Sequence, residues 1–104
     1  MKEIKWIGSS YKDLLSFPKD SKKEAGYQLD KIQRGEDPSD WKSMLSVGVG
    51  VKEVRIHHTN EFRIIYLAKY GDAVYVLHCF VKKTQTTSKK DIDLAKERLK
   101  LIKR

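Results

Sequence analysis

The sequence predicts an α+β fold in one domain, a small antiparallel β-sheet with helices packed on one face, in the order β-α-α-β-β-β-α. Three observations carry that expectation. The chain has 104 residues, close to the commonest domain size, so residues 1–104 form one unit with one modest core. Its apolar residues fall at helical spacing in the first third and then alternate from about residue 47 to 81. Helical spacing returns after residue 88. An antiparallel meander between helical segments is the signature of an α+β domain.

Taken in order, "EIKWI" (3–7) alternates and is built of β-formers, so it reads as a short strand. "GSS" supplies a turn and helix caps. "YKDLLSF" (11–17) is a short helix, which Pro18 ends. A longer helix is expected from Lys19 to Arg34, with Ala25, Leu29 and Ile32 on one stripe. Gly35 is its stop, and "GEDPSDW" (35–41) is a loop by composition. "VGVGVKEVRIHH" (47–58), "EFRIIYLAKY" (61–70) and "AVYVLHCFV" (73–81) are three strands. The tight connections "HTNE" and "YGD" make them an antiparallel meander. Ser88 and Asp91 then form a capping-box pattern ahead of Ile92, Ala95, Leu99 and Ile102, which repeat at helical spacing.

Composition bounds the function. Hydrophobic residues are 39% and charged residues 35% of the chain, enough of the former to fold without a partner. The 22 Lys plus Arg against 14 Asp plus Glu leave a net charge of +8. Such an excess points to anionic partners: nucleic acid, an anionic membrane surface or an acidic protein. The single cysteine, Cys79, leaves no internal disulfide and suits a reducing compartment. No apolar run approaches the length of a bilayer span, and "MKEIKWIGSS" is not a signal peptide. The expected location is the cytoplasm, with no membrane partner.

Alternation says what the sheet presents. In "VKEVRIH", Val51, Glu53, Arg55 and His57 share one side, while Lys52, Val54 and Ile56 share the other. In the next strand Arg63, Ile65 and Leu67 oppose Phe62, Ile64 and Tyr66. Val54 with Ile56, and Ile64 with Tyr66, are the better core pairs. Arg55 and Arg63 therefore meet on the open face, with Lys82 and Lys83 at the end of the third strand. A lone cation on a sheet face is usually just solvated. Four together, on a chain this basic, favour an anion, and phosphate suits the two-donor grip of arginine.

Other residue types are weaker signals. His57, His58, His78 and Cys79 match no zinc signature, and adjacent strand residues point to opposite faces, so neither a metal nor another cofactor is expected. Cys79 reads as a small core residue. His78 shares parity with Lys82: it either faces the same cleft or is a satisfied buried histidine. Trp6 and Trp41 read as anchors, although Trp41 could stack on a base. No Ser-His-Asp order, carboxylate pair or phosphate-binding loop is visible.

The stretches "KWIGSSYKDLLSFP", "GYQLDKIQRGEDPSDWKSM", "GVGVKEVRI", "FRIIYLAK", "VYVLHCFVKKTQTT" and "DIDLAKERL", in that order, resemble the phage-derived, HigB-like branch of the RelE/ParE toxin superfamily. "VLHCFVKKTQTT" and "GYQLDKIQRGEDPSDWK" are the most specific pieces. The resemblance covers nearly the whole chain and implies the toxin of a type II toxin–antitoxin system. It implies a metal-independent endoribonuclease that cuts messenger RNA, usually in the ribosomal decoding site, and a cognate antitoxin as partner. Carried over by position, the resemblance implies roles for Arg63, Arg55, Lys82 and Lys83. With the residues read from the pattern, the catalytic candidates are Arg55, Arg63, Lys82 and His78, and the RNA-binding candidates are Lys83, His57, Lys52 and Trp41. The tyrosine that RelE carries near its C-terminus has no clear counterpart after Lys83. Asp91 and Asp93 are the acidic residues in that region, and both read as helix-start residues. Two other classes stay open: gyrase inhibition, as in ParE-like relatives of the same fold, and an RNA-binding module without catalysis.

Overall fold

The computed structural model describes residues 1–102. Its elements are β1 (Glu3–Trp6), α1 (Ser10–Leu15), α2 (Lys19–Gln33), β2 (Trp41–Ser43), β3 (Val51–His58), β4 (Asn60–Leu67), β5 (Ala73–Lys82) and α3 (Lys89–Leu99). The strands form one sheet in the order β1-β5-β4-β3-β2. The α+β class and the β3-β4-β5 antiparallel meander are as the sequence predicts.

Three particulars differ from the expectation. The sheet is mixed, because β1 pairs parallel with β5. A fifth strand, β2, occupies residues at the end of the expected loop and pairs with β3; three residues are too few to show a period. The helices, moreover, do not gather on one face. Leu14 and Phe17 at α1, and Ala25, Leu29 and Ile32 on α2, form one core with Val54, Ile56, Phe62, Ile64, Tyr66, Val74 and Val76. Ala95, with Ile92 and Leu99 packed alongside, puts α3 in a second core with Val51, Ile65, Leu67, Tyr75 and Leu77. Those sheet residues have the opposite parity, so α3 covers the other face. The cause lies in β5, where Ala73 to Phe80 are all buried. A strand apolar on both sides needs cover on both sides.

Local chemistry fixes the ends. Gly35, at φ +85°, closes α2: its amide donates to Ile32 O, and the Glu36 amide to Lys31 O, each at 3.0 Å. That is the paired carbonyl capture of a left-handed helix stop. On α3, Ser88 is the N-cap, and its Oγ accepts from the Asp91 amide at 3.2 Å. The other end of α3 is tied down by Arg98, which donates to Leu77 O at 2.9 Å and to Ser9 Oγ at 2.8 Å. Gly8 lies against that guanidinium: a Cβ there would stand 2.6 Å from Arg98 Nε, at a φ of +60°.

Candidate nucleic-acid interface

The α3 side of the sheet is apolar only along part of its length. Strand register places the remainder in three cross-strand rows. Lys42, Glu53, Ile65 and His78 form the first; Arg55, Arg63 and Phe80 the second; His57, Glu61 and Lys82 the third. A register irregularity at Ile65/Tyr66 opposes Ile65 to His78 but Tyr66 to Val76, leaving Leu77 extra on β5. That bulge lets Leu77 join the α3 core and carries His78, Phe80 and Lys82 onto the charged rows.

Arg55 and Arg63 are direct cross-strand partners. Their setting differs from the exposed face the sequence suggests. The Arg63 side chain is 5% exposed. Its Nη1 donates to Phe62 O at 2.9 Å and its Nη2 to Glu61 Oε1 at 3.1 Å. Its Nε faces Glu53 Oε1 at 3.8 Å, an ion pair without a hydrogen bond. Glu53 is itself 0% exposed, and its Oε2 accepts the Thr87 hydroxyl at 2.7 Å. Arg55 is half-open, with Asp40 4.0 Å from its Nη1.

Lys82 lies in an open groove of about 450 Å³ lined by Glu61, Arg63, Lys82, Lys83, Thr84 and Gln85. Partial burial lowers its pKa from the ordinary lysine value, and Arg63, Lys42 and Arg55 press it the same way against the opposing pull of Glu53. Lys83 is exposed on the rim.

His78 is buried under the first turn of α3. Its Nε2 stands 2.7 Å from Asp91 Oδ1. An ionised carboxylate can only accept, so that nitrogen carries the proton, and Nδ1 is left buried without a partner. Burial lowers the His78 pKa more than Asp91 raises it, which keeps the ring neutral. The ring stacks on Phe80 at 4.5 Å, which sets it apart from Lys82 along β5. Asp91 is thus more than a helix-start residue: its carboxylate accepts from the Ser88 hydroxyl at the cap of α3 and holds His78. His57 is clasped between Asp40 and Glu61, each 2.7 Å away, and these raise its pKa, Asp40 most.

Not all the sequence-expected residues converge. Lys52 and Trp41 lie across the sheet from Arg55 and Arg63. Trp41 is the cross-strand partner of Val54, a residue of the α1–α2 core. Lys52 bonds Asp37 at 2.9 Å, with its ammonium 4.3 Å above the Trp41 ring. The strand alternation that unites Arg55 with Arg63 is what separates these two. Cys79 is a buried core residue, as read.

Sequence reasoning did not single out Glu53 or Thr87. The signal for Glu53 was present: an acid inside a strand, on the parity of Arg55. Among the described residues, the buried side-chain polar atoms without a partner are Glu53 Oε1, Arg55 Nε, Arg63 Nε and His78 Nδ1. All four belong to these rows. Such atoms are costly in a scaffold and concentrate where polar chemistry is done. The rows set Arg55 against Arg63, and the adjoining groove gathers Arg63, Lys82 and Lys83, a cationic surface of the kind that attracts anions.

No helix among the described residues is long and apolar enough to cross a membrane. A family model described as phage-derived protein Gp49-like matches residues 12–100. A search of curated proteins returned no match.

Proposed function

From the premise that the chain belongs to the phage-derived Gp49-like family, a RelE/HigB-like toxin family of toxin–antitoxin systems, we propose that it is a cytoplasmic endoribonuclease that cuts messenger RNA on the ribosome and so halts translation. The family implies a cognate antitoxin. The observation that supports the nuclease reading is the meeting of Arg63, Lys82 and Lys83 in one groove, with Arg55 the cross-strand partner of Arg63 and the Lys82 pKa lowered by burial and by the neighbouring cations.

The chemistry follows from RNA itself. The ribose 2′-oxygen attacks the adjacent phosphorus as the bond to the 5′-oxygen breaks, giving a cyclic phosphate and a free 5′-hydroxyl. A base takes the 2′-hydroxyl proton and an acid protonates the leaving oxygen. Negative charge gathers on the phosphoryl oxygens in between. Arg63 and Lys83, which line the groove, offset it there, and Arg55 adds its field from beside Arg63. Lys82 is the proton-transfer candidate, since a lysine with a lowered pKa holds a larger neutral fraction at pH 7. No step in this route needs a metal ion. His78, held by Asp91 beneath α3, is not among the residues lining the groove; it stacks on Phe80, the cross-strand partner of Arg63.

Two measurements test this. Messenger RNA 5′ ends mapped in cells after brief induction should show new 5′-hydroxyl ends at discrete positions within translated frames. Pulse labelling should show protein synthesis failing before DNA synthesis. If DNA synthesis fails first and no new RNA ends appear, gyrase inhibition is the better reading.

A further inference from the structure

Resting on the ribonuclease reading, we propose that Glu53 is a positioning residue for cleavage: its carboxylate faces Arg63, which lines the groove, on one side, and on the other accepts the hydroxyl of Thr87, buried two residues beyond the groove-lining Gln85. One buried group would then tie down both the arginine and the segment that follows β5. Glu53 sits in mid-strand on β3 and is 0% exposed. Its Oε2 accepts from Thr87 at 2.7 Å, across 34 residues of chain. Its Oε1 has no hydrogen-bond partner and faces the likewise unpartnered Arg63 Nε at 3.8 Å.

Stability alone does not explain this arrangement. A buried ion pair is commonly no better than well-packed apolar residues of the same volume. Glu53 Oε1 and Arg63 Nε do not even form a hydrogen bond with one another. Nor is Glu53 placed as the base. It has no exposed surface, and Arg63 stands between it and the groove. What the carboxylate does supply is orientation. Arg63 is held at three points, Phe62 O, Glu61 and Glu53. The segment from Lys83 to Ser88 is drawn down onto the sheet through Thr87. The charges around Lys82 are then Arg63, Arg55 and Lys42 against Glu53. Glu53 tempers the repulsion that those three cations exert on the Lys82 ammonium.

The test pairs side-chain NMR titration of Lys82 with cleavage kinetics in wild type, Glu53→Gln and Glu53→Asp. Glutamine keeps the shape and an acceptor for Thr87 but removes the charge. In Glu53→Gln the Lys82 midpoint should fall by at least about half a pH unit. The limiting kcat above the acid limb of the pH–rate profile should fall tenfold or more, because Arg63 loses its anchor, with KM within about twofold, while the acid limb itself moves to lower pH with the Lys82 midpoint. A folded Glu53→Gln with an unchanged Lys82 midpoint, or with an unchanged limiting kcat, overturns the proposal. If Glu53→Gln does not fold, Glu53→Asp decides. It keeps the charge but draws the carboxylate back by one methylene, so kcat should drop while the Lys82 midpoint stays near wild type; an unchanged kcat overturns the proposal. The titration needs no RNA cleavage. A wild-type protein that cuts no RNA therefore defeats the ribonuclease reading, while an unmoved Lys82 midpoint in a folded Glu53→Gln defeats the assignment of Glu53.

Discussion

The two faces of the sheet solve different problems with the same strands. Beneath α1 and α2, every buried sheet residue of the cluster is apolar, from Val54 and Ile56 through Phe62 and Ile64 to Val76. Beneath α3 the apolar run of Val51, Ile65, Leu67 and Leu77 gives way within one or two residues to Glu53, Arg63 and His78, all buried. The first face is what burial of apolar area produces when nothing else is required. The second retains charge where burial makes charge expensive. The difference marks where the proposed site lies: substitutions on the first face should change stability, and those on the second should change chemistry or both.

The largest effect is expected at Lys82. Lys82→Met should reduce RNA cleavage by roughly 10²–10⁴-fold, the usual contribution of a proton-transfer group. Thermal melting should be nearly unchanged, because the side chain is only partly covered. Arg63→Ala comes next and blurs the comparison on purpose. An exposed arginine would cost little; this one would leave Glu53 buried without its counter-charge. A loss of about 3–5 kcal/mol is expected, together with lost cleavage. Denaturant unfolding checks it, and a loss under about 1 kcal/mol would show the pair to be solvated. Leu29→Ala, on the apolar face, should cost about 2–5 kcal/mol. The folded fraction should still cut RNA at the wild-type rate.

Smaller effects sharpen the boundary. Ser88→Ala removes the α3 cap and should cost about 1 kcal/mol in melting experiments, with little change in cleavage. The histidines should respond to pH in opposite senses. His57 has a raised pKa, so its contribution is fully present below the ordinary value of 6.5 and is lost as pH rises through the higher folded midpoint. His78 has a lowered pKa, so stability falls as pH drops below 6.5 towards its folded midpoint. His57→Gln should therefore destabilise more at acid than at alkaline pH. A deficit equal at both ends would mean that the Asp40–Glu61 clasp holds no charge.

The parts legible in the sequence were those with a period. Alternation in "VKEVRIH" and "FRIIYL" put Arg55 beside Arg63, which the cross-strand register bears out. Helical spacing found Ala25, Leu29 and Ile32, and the capping pattern found Ser88 with Asp91. Some of what escaped had no local signal. β2 is three residues long. The parallel pairing of β1 with β5 joins residues about seventy positions apart. The unbroken apolar run of β5 did imply cover on both faces, and taking the helices as one layer set that cue aside. Arg63 was read by parity alone. Parity gives the face but not the depth, and depth comes from Glu53, Glu61 and the Phe62 carbonyl.

The central claim is that the charged rows beside α3 form a ribonuclease site. Purified wild type and Lys82→Met, both shown to be folded by their melting curves, should be added to ribosomes stalled on a defined messenger RNA. The account predicts rapid cuts with 5′-hydroxyl ends by wild type and a loss of at least about a hundredfold in Lys82→Met. Cleavage by the folded variant at the wild-type rate, or none by wild type, would contradict it.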